Sequence, residues 1–238
     1  EETQGELAIF FAARELRAEG DPAPYFISYQ VTEIESGVAS ASAGALKTLR
    51  KDRARLLDVS VRTGSPQLDN YHQIGRDYPR FASGAAIPLE DNAAAISRAL
   101  WLETDRVYRL ASERLIKVRA AEQVRAASAD DSPDFSPAEP VTRFVPPPPF
   151  VFDEARAAAR VRKLSAALAN SPGVIESSVT LSVQRQTKSF VSTEGTRLQH
   201  GRGFARLTAF ARGKDADGSD IVLTRSFDAE DMAGLPDD

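Results

Sequence analysis

The stretch Tyr25-Phe26-Ile27-Ser28-Tyr29-Gln30-Val31-Thr32 decides the fold of this chain. Large apolar side chains stand at every second position from Tyr25 to Val31, which is the period of a β-strand with one face turned towards a core. A sheet must therefore be part of the structure, and the residues on either side are interpreted around it.

Two more strands are predicted directly after the first. Small residues predominate from Ser36 to Ala45, where they would leave a shallow surface for another backbone. A third strand is predicted from Arg53 to Thr63, because apolar and polar residues alternate there. The connections are too short for helical crossovers, so we expect an antiparallel meander of three strands.

Helices are predicted on both sides of this meander. The first covers residues 4–19, and the second covers residues 90–127 with Asp91 as its N-cap. The segment Ser132 to Phe150 follows and contains four consecutive prolines, which must be extended. We interpret this segment as a rigid connector that tolerates replacement.

The second half of the chain repeats the order of a helix followed by strands. Asp153 is a predicted N-cap for a helix ending at Asn170. The strands that follow are predicted at about 179–183, 187–193, 202–212 and 220–227. The fold class is therefore α+β, with helices packed on antiparallel sheet, and the expected division is 1–131, 132–150 and 151–238.

Composition excludes several classes of protein. The chain has 238 residues, 42% of them hydrophobic, which allows a substantial core, and its net charge of −4 argues against a broad nucleic-acid footprint. With no cysteine and two histidines, it cannot form disulfides or thiolate zinc sites and is poor in metal ligands. No apolar run reaches the length of a membrane span. Because the chain starts at Glu1, we expect it to be part of a longer protein, with a cytoplasmic location favoured and export left open.

Three local patterns suggest chemistry but have simpler explanations. Asp69 and His72 could form an acid–histidine pair acting with a serine, yet no nucleophile is evident, so His72 and likewise His200 are interpreted as loop residues. The acidic segment 215–220 lacks the glycine and glutamate positions of a calcium loop and predicts a hairpin turn. Gly201-Arg202-Gly203 lacks the third glycine of a dinucleotide loop.

A basic cluster lies at another strand connection. It consists of Lys47, Arg50, Lys51, Arg53 and Arg55. Because aromatic side chains are not interleaved with these cations, the cluster is not predicted to bind nucleic acid.

Several segments together resemble the amino-terminal region of the TldD/PmbA family of metallopeptidases. They are Pro24–Glu33, Ser42–Leu46, Val59–Asn70, Trp101–Ala111 and Val191–Gly195. The last of these is similar to the Asn-Ser-Glu-Gly turn of the family, although Ser192 and Thr193 replace its asparagine and serine. The resemblance covers nearly the whole chain.

The resemblance implies a role without catalysis for this chain. TldD-type members are similar to zinc peptidases with a His-Glu-x-x-x-His helix, whereas PmbA-type members lack it and act as the inactive partner. No His-Glu pair occurs in this sequence, so no zinc or other cofactor is expected in it. Zinc, if the protein is of the active type, is expected only in a missing segment.

We therefore expect a substrate-handling domain that binds extended, unfolded peptide and helps to assemble the protease. The expected peptide-binding residues are Ala39, Ala41, Arg62, Asp69, Asn70 and Glu194, and the expected turn residues are Gly44, Gly64 and Gly195. The expected partner is a TldD/PmbA-like subunit in a homo- or heterodimer. The alternative is a stand-alone scaffold or oligomerisation module that does not bind peptide.

Overall fold

A computed structural model describes residues 22–77, 79, 84–124 and 132–236. The helix predicted over residues 4–19 lies outside these residues. Within the described chain, the elements are β1 (Pro24–Ser42), β2 (Ala45–Ser65), β3 (Leu68–Asp69), β4 (Ala85–Ala86), α1 (Ala93–Val124), β5 (Thr142–Phe144), α2 (Glu154–Ala169), β6 (Val174–Ser192), β7 (Arg197–Lys214) and β8 (Asp220–Ala229).

The eight strands form a sheet in the order β3-β2-β1-β6-β7-β5, with β4 also paired to β2 and β8 also paired to β7. The pairing of β7 with β8 is antiparallel over ten residue pairs, whereas the short β5 runs parallel to β7. Sheet and helices together confirm the predicted α+β class. No helix in the described residues is long and apolar enough to cross a membrane.

The predicted three-stranded meander is in fact one hairpin of two long strands. β1 continues through residues 32–35, because nothing in that stretch favours a turn and apolar Ile34 keeps the alternation with polar neighbours. The turn lies at Ala43 and Gly44, whose φ angles of +48° and +81° are both positive, as a two-residue type I′ turn requires. In the second half, the strands predicted at 179–183 and 187–193 likewise merge into β6.

The chain divides into two compact units, each assembled from three segments. Unit 1 contains the described parts of Glu1–Thr32, Arg55–Val145 and Lys188–Gln199, and unit 2 contains Glu33–Ala54, Pro146–Thr187 and the described part of His200–Asp238. The long strands contribute to both units. This arrangement differs from the expected division at a central connector, because each half of the chain contributes residues to each unit.

In unit 1, α1 packs on the apolar face of the sheet. The buried residues of this core are Ile27, Tyr29, Leu57, Val59, Val61, Ile87, Leu100, Val107 and Ala111. Asn92 rather than Asp91 caps the helix, since its Oδ1 accepts the Ala95 amide at 3.1 Å. Asp91 instead binds Arg55, Oδ1 to Nη2, at 2.9 Å.

In unit 2, α2 covers the small residues of β1. Its buried core consists of Ala39, Ala41, Phe152, Ala157, Val161, Val179, Leu181, Val183, Ala205, Leu207 and Leu235. Asp153 caps α2 as predicted, with Oδ1 accepting the Arg156 amide at 3.0 Å. The Phe152 ring lies on Gly37, where a Cβ atom would come within 2.3 Å of the ring.

The proline run packs against glycines of β7 in unit 2. A Cβ atom on Gly201 would lie 2.6 Å from the Cβ of Pro147, and one on Gly203 would lie 2.4 Å from the carbonyl oxygen of Glu230 and 3.8 Å from Pro148. The Gly201-Arg202-Gly203 motif therefore provides space for close backbone approach. The prolines are a packed part of the fold, whereas the sequence predicted a connector open to replacement.

Candidate functional site

Asp69 lies at the centre of a polar cluster in unit 1 and is completely buried. Its Oδ2 accepts Nη1 of Arg62 at 2.5 Å and the hydroxyl of Tyr25 at 2.6 Å, and its Oδ1 accepts the amide of Tyr71 at 2.7 Å. Burial, reinforced by the hydrogen bond to Asp69, raises the pKa of Tyr25, so the phenol stays protonated and continues to donate. The carboxylate of Asp69 therefore accepts three hydrogen bonds from side chains and backbone.

Two aromatic rings hold the guanidinium of Arg62. Its Cζ lies 4.2 Å from the ring centroid of Tyr71 and 4.6 Å from that of Phe135. Both distances are within the range of cation–π attraction. Arg62 is thus fixed both by its ion pair with Asp69 and by these rings.

Asp134 and Phe135 connect the proline-rich segment to this cluster. Asp134 accepts the amide of Asp69 at 2.9 Å through Oδ2, and its Oδ1 lies 2.7 Å from Nδ1 of His72. The amide of Phe135 donates to the carbonyl of Pro66 at 3.0 Å. Neither residue was predicted from the sequence, because the contacts join positions about 65 residues apart along the chain.

His72 does not form the side-chain pair with Asp69 that the alternative enzyme hypothesis required. Its Nδ1 faces Asp134 and its Nε2 lies 3.4 Å from Oε1 of Glu122, while only its backbone amide contacts Asp69, at the carbonyl oxygen. The three hydrogen bonds to Asp69 fix its carboxylate in place, and His72 has carboxylates at both ring nitrogens. The cluster therefore holds these chain segments together.

Asn70 completes the backbone pairing of β2. Its Oδ1 accepts the amide of Thr63 at 2.8 Å, and its Nδ2 donates to the carbonyl of Val61 at 3.1 Å. The side chain is completely buried, so both hydrogen bonds are needed to avoid a desolvation penalty. Asn70 lies beside Asp69 but binds a strand rather than the cluster.

Glu194 lies on a different element, in the turn between β6 and β7. Its neighbour Thr193 fixes this turn, because Thr193 Oγ1 accepts the amide of Ile27 at 3.1 Å and the Thr193 amide donates to the Ile27 carbonyl at 2.9 Å. Gly195 has φ +94°, and Gly64 beside the Asp69 cluster has φ +104°. The structure therefore does not place Glu194 in the Arg62–Asp69 cluster.

Ala39 and Ala41 are completely buried in the core of unit 2. The space that their small side chains leave is filled by α2 and by neighbouring strands. This differs from the expectation that the small-residue stretch leaves an open surface for another backbone. The reason is that small residues permit close packing of whatever lies above them, and here the covering element is part of the chain itself.

The donor set of the described residues does not fit a zinc centre. No group of three or more histidine, aspartate or glutamate side chains in this part of the chain is arranged to hold a metal ion. His72 is engaged by carboxylates, and His200 lies on a different element, the strand β7. We derive no metal-dependent step for these residues.

The strand that was expected to receive a peptide is not an edge. β1 lies between β2 and β6, so both of its sides are already paired. β8 differs, because among the described strands it pairs only with β7. The ten residues of β8 thus present a row of backbone groups to solvent, which is the usual site of strand addition.

One face of β8 continues the apolar side of the sheet beyond the cover of α2. Phe227 pairs with the buried Leu207, and Leu223 and Ile221 pair with Ala211 and Gly213, so all three share that face. Arg225, which pairs with Ala209, lies between Leu223 and Phe227 on the same face. Leu223 is 65% exposed, and Ile221 and Phe227 are also exposed.

The opposite face of β8 is mostly polar. There Arg206 binds Asp228 through two hydrogen bonds of 2.6 and 2.7 Å. Asp220 pairs with Lys214 at 3.2 Å. β8 is therefore an amphipathic edge strand with its apolar face uncovered, and we take it as the candidate binding surface.

The fold was compared with solved structures. A candidate modulator of DNA gyrase from Thermotoga maritima aligns with 99% of this chain at a TM-score of 0.56 and 11% identity, with 44% of its own length covered. A second candidate modulator, from Bacteroides thetaiotaomicron, aligns with 99% of this chain at a TM-score of 0.59 and 8% identity, and 46% of its own length is covered. TldE from Thermococcus kodakarensis aligns with 98% of this chain at a TM-score of 0.53 and 10% identity, and 44% of its own length is covered.

This chain has the fold of these gyrase-modulator proteins and of TldE. The resemblance to the TldD/PmbA family is thereby confirmed at the level of the fold. The chain spans less than half the length of each of these three proteins. No protein-family model and no curated protein matches the sequence.

Proposed function

We propose that this chain is a polypeptide-binding part of a TldD/PmbA-like protein and that it binds an extended segment by strand addition at β8. The fold supports membership of that family. The observation that carries the binding proposal is the amphipathic edge of β8, which has one paired side and one open side within the described chain.

The binding mode follows from the chemistry of this edge. Backbone hydrogen bonds to β8 would supply affinity, each contributing about 1 kcal/mol net, and they are insensitive to the sequence of the bound peptide. The exposed side chains of Ile221 and Leu223, with Phe227 beyond Arg225 on the same face, would favour a segment with apolar residues at some of its alternate positions. Such a surface suits unfolded protein better than a particular folded partner.

Catalysis is assigned elsewhere in this proposal. The zinc-dependent step that the family resemblance implies would require a segment or a TldD/PmbA-like partner subunit outside this chain. The chain would hold the substrate in an extended form and take part in assembly with that partner.

A peptide-binding titration tests the proposal. A fluorescein-labelled unstructured peptide with alternating apolar residues is titrated with wild type and with Leu223→Lys, which places a charge on the apolar face of the edge. Ile175→Lys is the matched control, because Ile175 is an exposed apolar residue on β6. We expect Leu223→Lys to raise Kd at least about tenfold, equivalent to about 1.4 kcal/mol, and Ile175→Lys to leave it within about twofold.

The same proteins distinguish the oligomerisation alternative. Sedimentation velocity reports whether wild type self-associates and whether Leu223→Lys abolishes it. A wild-type dimer that binds no peptide and is broken by Leu223→Lys would replace the peptide-binding proposal with a scaffold role. Equal peptide affinity in all three proteins would overturn the assignment of β8.

A further inference from the structure

Arg225 interrupts the apolar face of β8. It pairs with Ala209 on β7 and lies two residues from both Leu223 and Phe227, so the three side chains stand on one face of the strand. Arg225 is exposed, as are its two apolar neighbours. Covering a charged group without a partner costs free energy, so any strand added beside β8 has to accommodate this cation.

The charge of Arg225 differs from that of the cations on the opposite face of the same strands. Three of those cations have carboxylate partners, in the pairs Arg206–Asp228, Arg212–Glu176 and Lys214–Asp220. Arg225 forms no ion pair with any acidic side chain that the structure describes. On β7, its direct partner Ala209 and the diagonal neighbours Leu207 and Ala211 are uncharged.

An added strand would supply the residue that faces Arg225. An aspartate or glutamate at that position accepts a charge-assisted hydrogen bond, and a guanidinium can bind both oxygens of a carboxylate. A lysine or arginine there would place like charges directly opposite each other, which destabilises a strand pair. Apolar residues two positions away on each side would cover Leu223 and Phe227 and shield the ion pair from water.

We infer that Arg225 selects extended segments in which an acidic residue has an apolar residue two positions away on each side. The inference rests on strand addition at β8 as the proposed function and adds the charge pattern of the bound segment. Because Leu223 and Phe227 lie at equal spacing from Arg225, the pattern is the same for a parallel and an antiparallel segment. Overall charge would act in the opposite direction, since a chain with a net charge of −4 attracts basic segments.

Three fluorescein-labelled peptides that differ at one position test the inference on the whole chain. Each has a central glutamate, glutamine or lysine, valine two positions away on each side, and threonine between them. The proteins are wild type, Arg225→Gln and Arg225→Glu. The control is Arg202→Glu, which makes the same change of charge at an exposed arginine of β7 on the opposite face of the sheet.

We expect wild type and Arg202→Glu to bind the glutamate peptide at least about threefold more tightly than the glutamine peptide, and at least about tenfold more tightly than the lysine peptide. Arg225→Gln should bind the glutamate and glutamine peptides within about twofold of each other, and Arg225→Glu should prefer the lysine peptide. The preference of wild type should shrink between 50 and 500 mM salt, since salt screens ion pairs near the surface.

The possible failures of the two proposals are distinguishable. Equal affinity of wild type for the three peptides, with binding still weakened by Leu223→Lys, would overturn the role of Arg225 and leave strand addition at β8 in place. The role of Arg225 is also overturned if Arg225→Glu keeps the wild-type order of affinities or if Arg202→Glu reverses it. No saturable binding of any of the peptides to wild type would overturn both proposals.

Discussion

Replacing Arg62 by methionine tests whether the buried Asp69 cluster holds unit 1 together. The substitution keeps an unbranched apolar side chain between the rings of Tyr71 and Phe135 but removes the charge. Asp69, which is completely buried, would keep two of its three side-chain hydrogen bonds, those from the hydroxyl of Tyr25 and the amide of Tyr71.

The expected loss follows from these contacts. Breaking a buried ion pair by removing one partner costs about 3–5 kcal/mol, and the two remaining donors place this case at the lower end of that range. The two lost cation–π contacts add about 0.5–1 kcal/mol each, and the methionine side chain recovers part of this by packing. We expect the free energy of unfolding to fall by about 3–4 kcal/mol.

Urea denaturation followed by tryptophan fluorescence measures the loss. The single tryptophan, Trp101, lies on α1 and reports on unit 1. Arg76→Met is the control, because Arg76 is exposed and its replacement should change stability by less than about 0.5 kcal/mol. In a double-mutant cycle with Asp69→Asn, the double variant should be at least about 1 kcal/mol more stable than the sum of the single losses predicts. Additive losses, or a loss below about 1 kcal/mol in Arg62→Met, would refute the reasoning.

Four further outcomes are expected. Gly44→Val should lower the free energy of unfolding by about 1–3 kcal/mol in thermal denaturation, because φ at this turn is +81°. Ala41→Trp should cost at least about 3 kcal/mol in urea, because the site is fully buried; a stable, folded variant would contradict the described core. Burial raises the pKa of Tyr29 from 10.0 to about 12, so the folded state holds the phenol proton more tightly than the unfolded state does. The free energy of unfolding should therefore fall as the pH rises from 10 to 12, by up to about 1.4 kcal/mol per pH unit. Urea titrations at each pH should show that Tyr29→Phe flattens this fall. Phe135→Ala should lower the free energy of unfolding by about 2 kcal/mol, whereas Phe144→Ala, at a more exposed ring, should lower it by less than about 0.5 kcal/mol. Equal losses would show that the proline-rich segment is not anchored at Phe135.

Local periodicity predicted the two described helices and parts of the five long strands, but not the short strands β3, β4 and β5. The alternation from Tyr25 to Val31 correctly predicted a strand, and Asp153 correctly predicted the start of α2. Strand lengths were underestimated because the change to small residues at Ser36 was taken as the start of a new strand. Such residues can continue a strand when nothing in the sequence forces a turn, and the actual turn at Ala43 and Gly44 has a residue that is unusual at positive φ.

The order of the strands in the sheet could not be predicted from a local sequence pattern. Whether a strand is central or at an edge depends on the order in the sheet, and that order places β1 inside and β8 outside. The alternation of Ile221, Leu223 and Phe227 is visible in the sequence, but without the sheet order it resembles that of any half-buried strand. The contacts of Asp69 with Asp134 depend on a segment that composition alone marked as a connector.

The proline run also limits how β7 can be used by other chains. β7 is flanked first by β5 at Arg197–Gln199, then by Pro147 and Pro148 at Gly201 and Gly203, and from Ala205 onward by β8. Proline has no amide hydrogen, so this middle segment cannot template a further strand and acts as a gatekeeper against fibril-like stacking. A methyl group added at Gly201 would lie 2.6 Å from the Cβ of Pro147, so alanine at this position would displace the proline from the backbone that it protects.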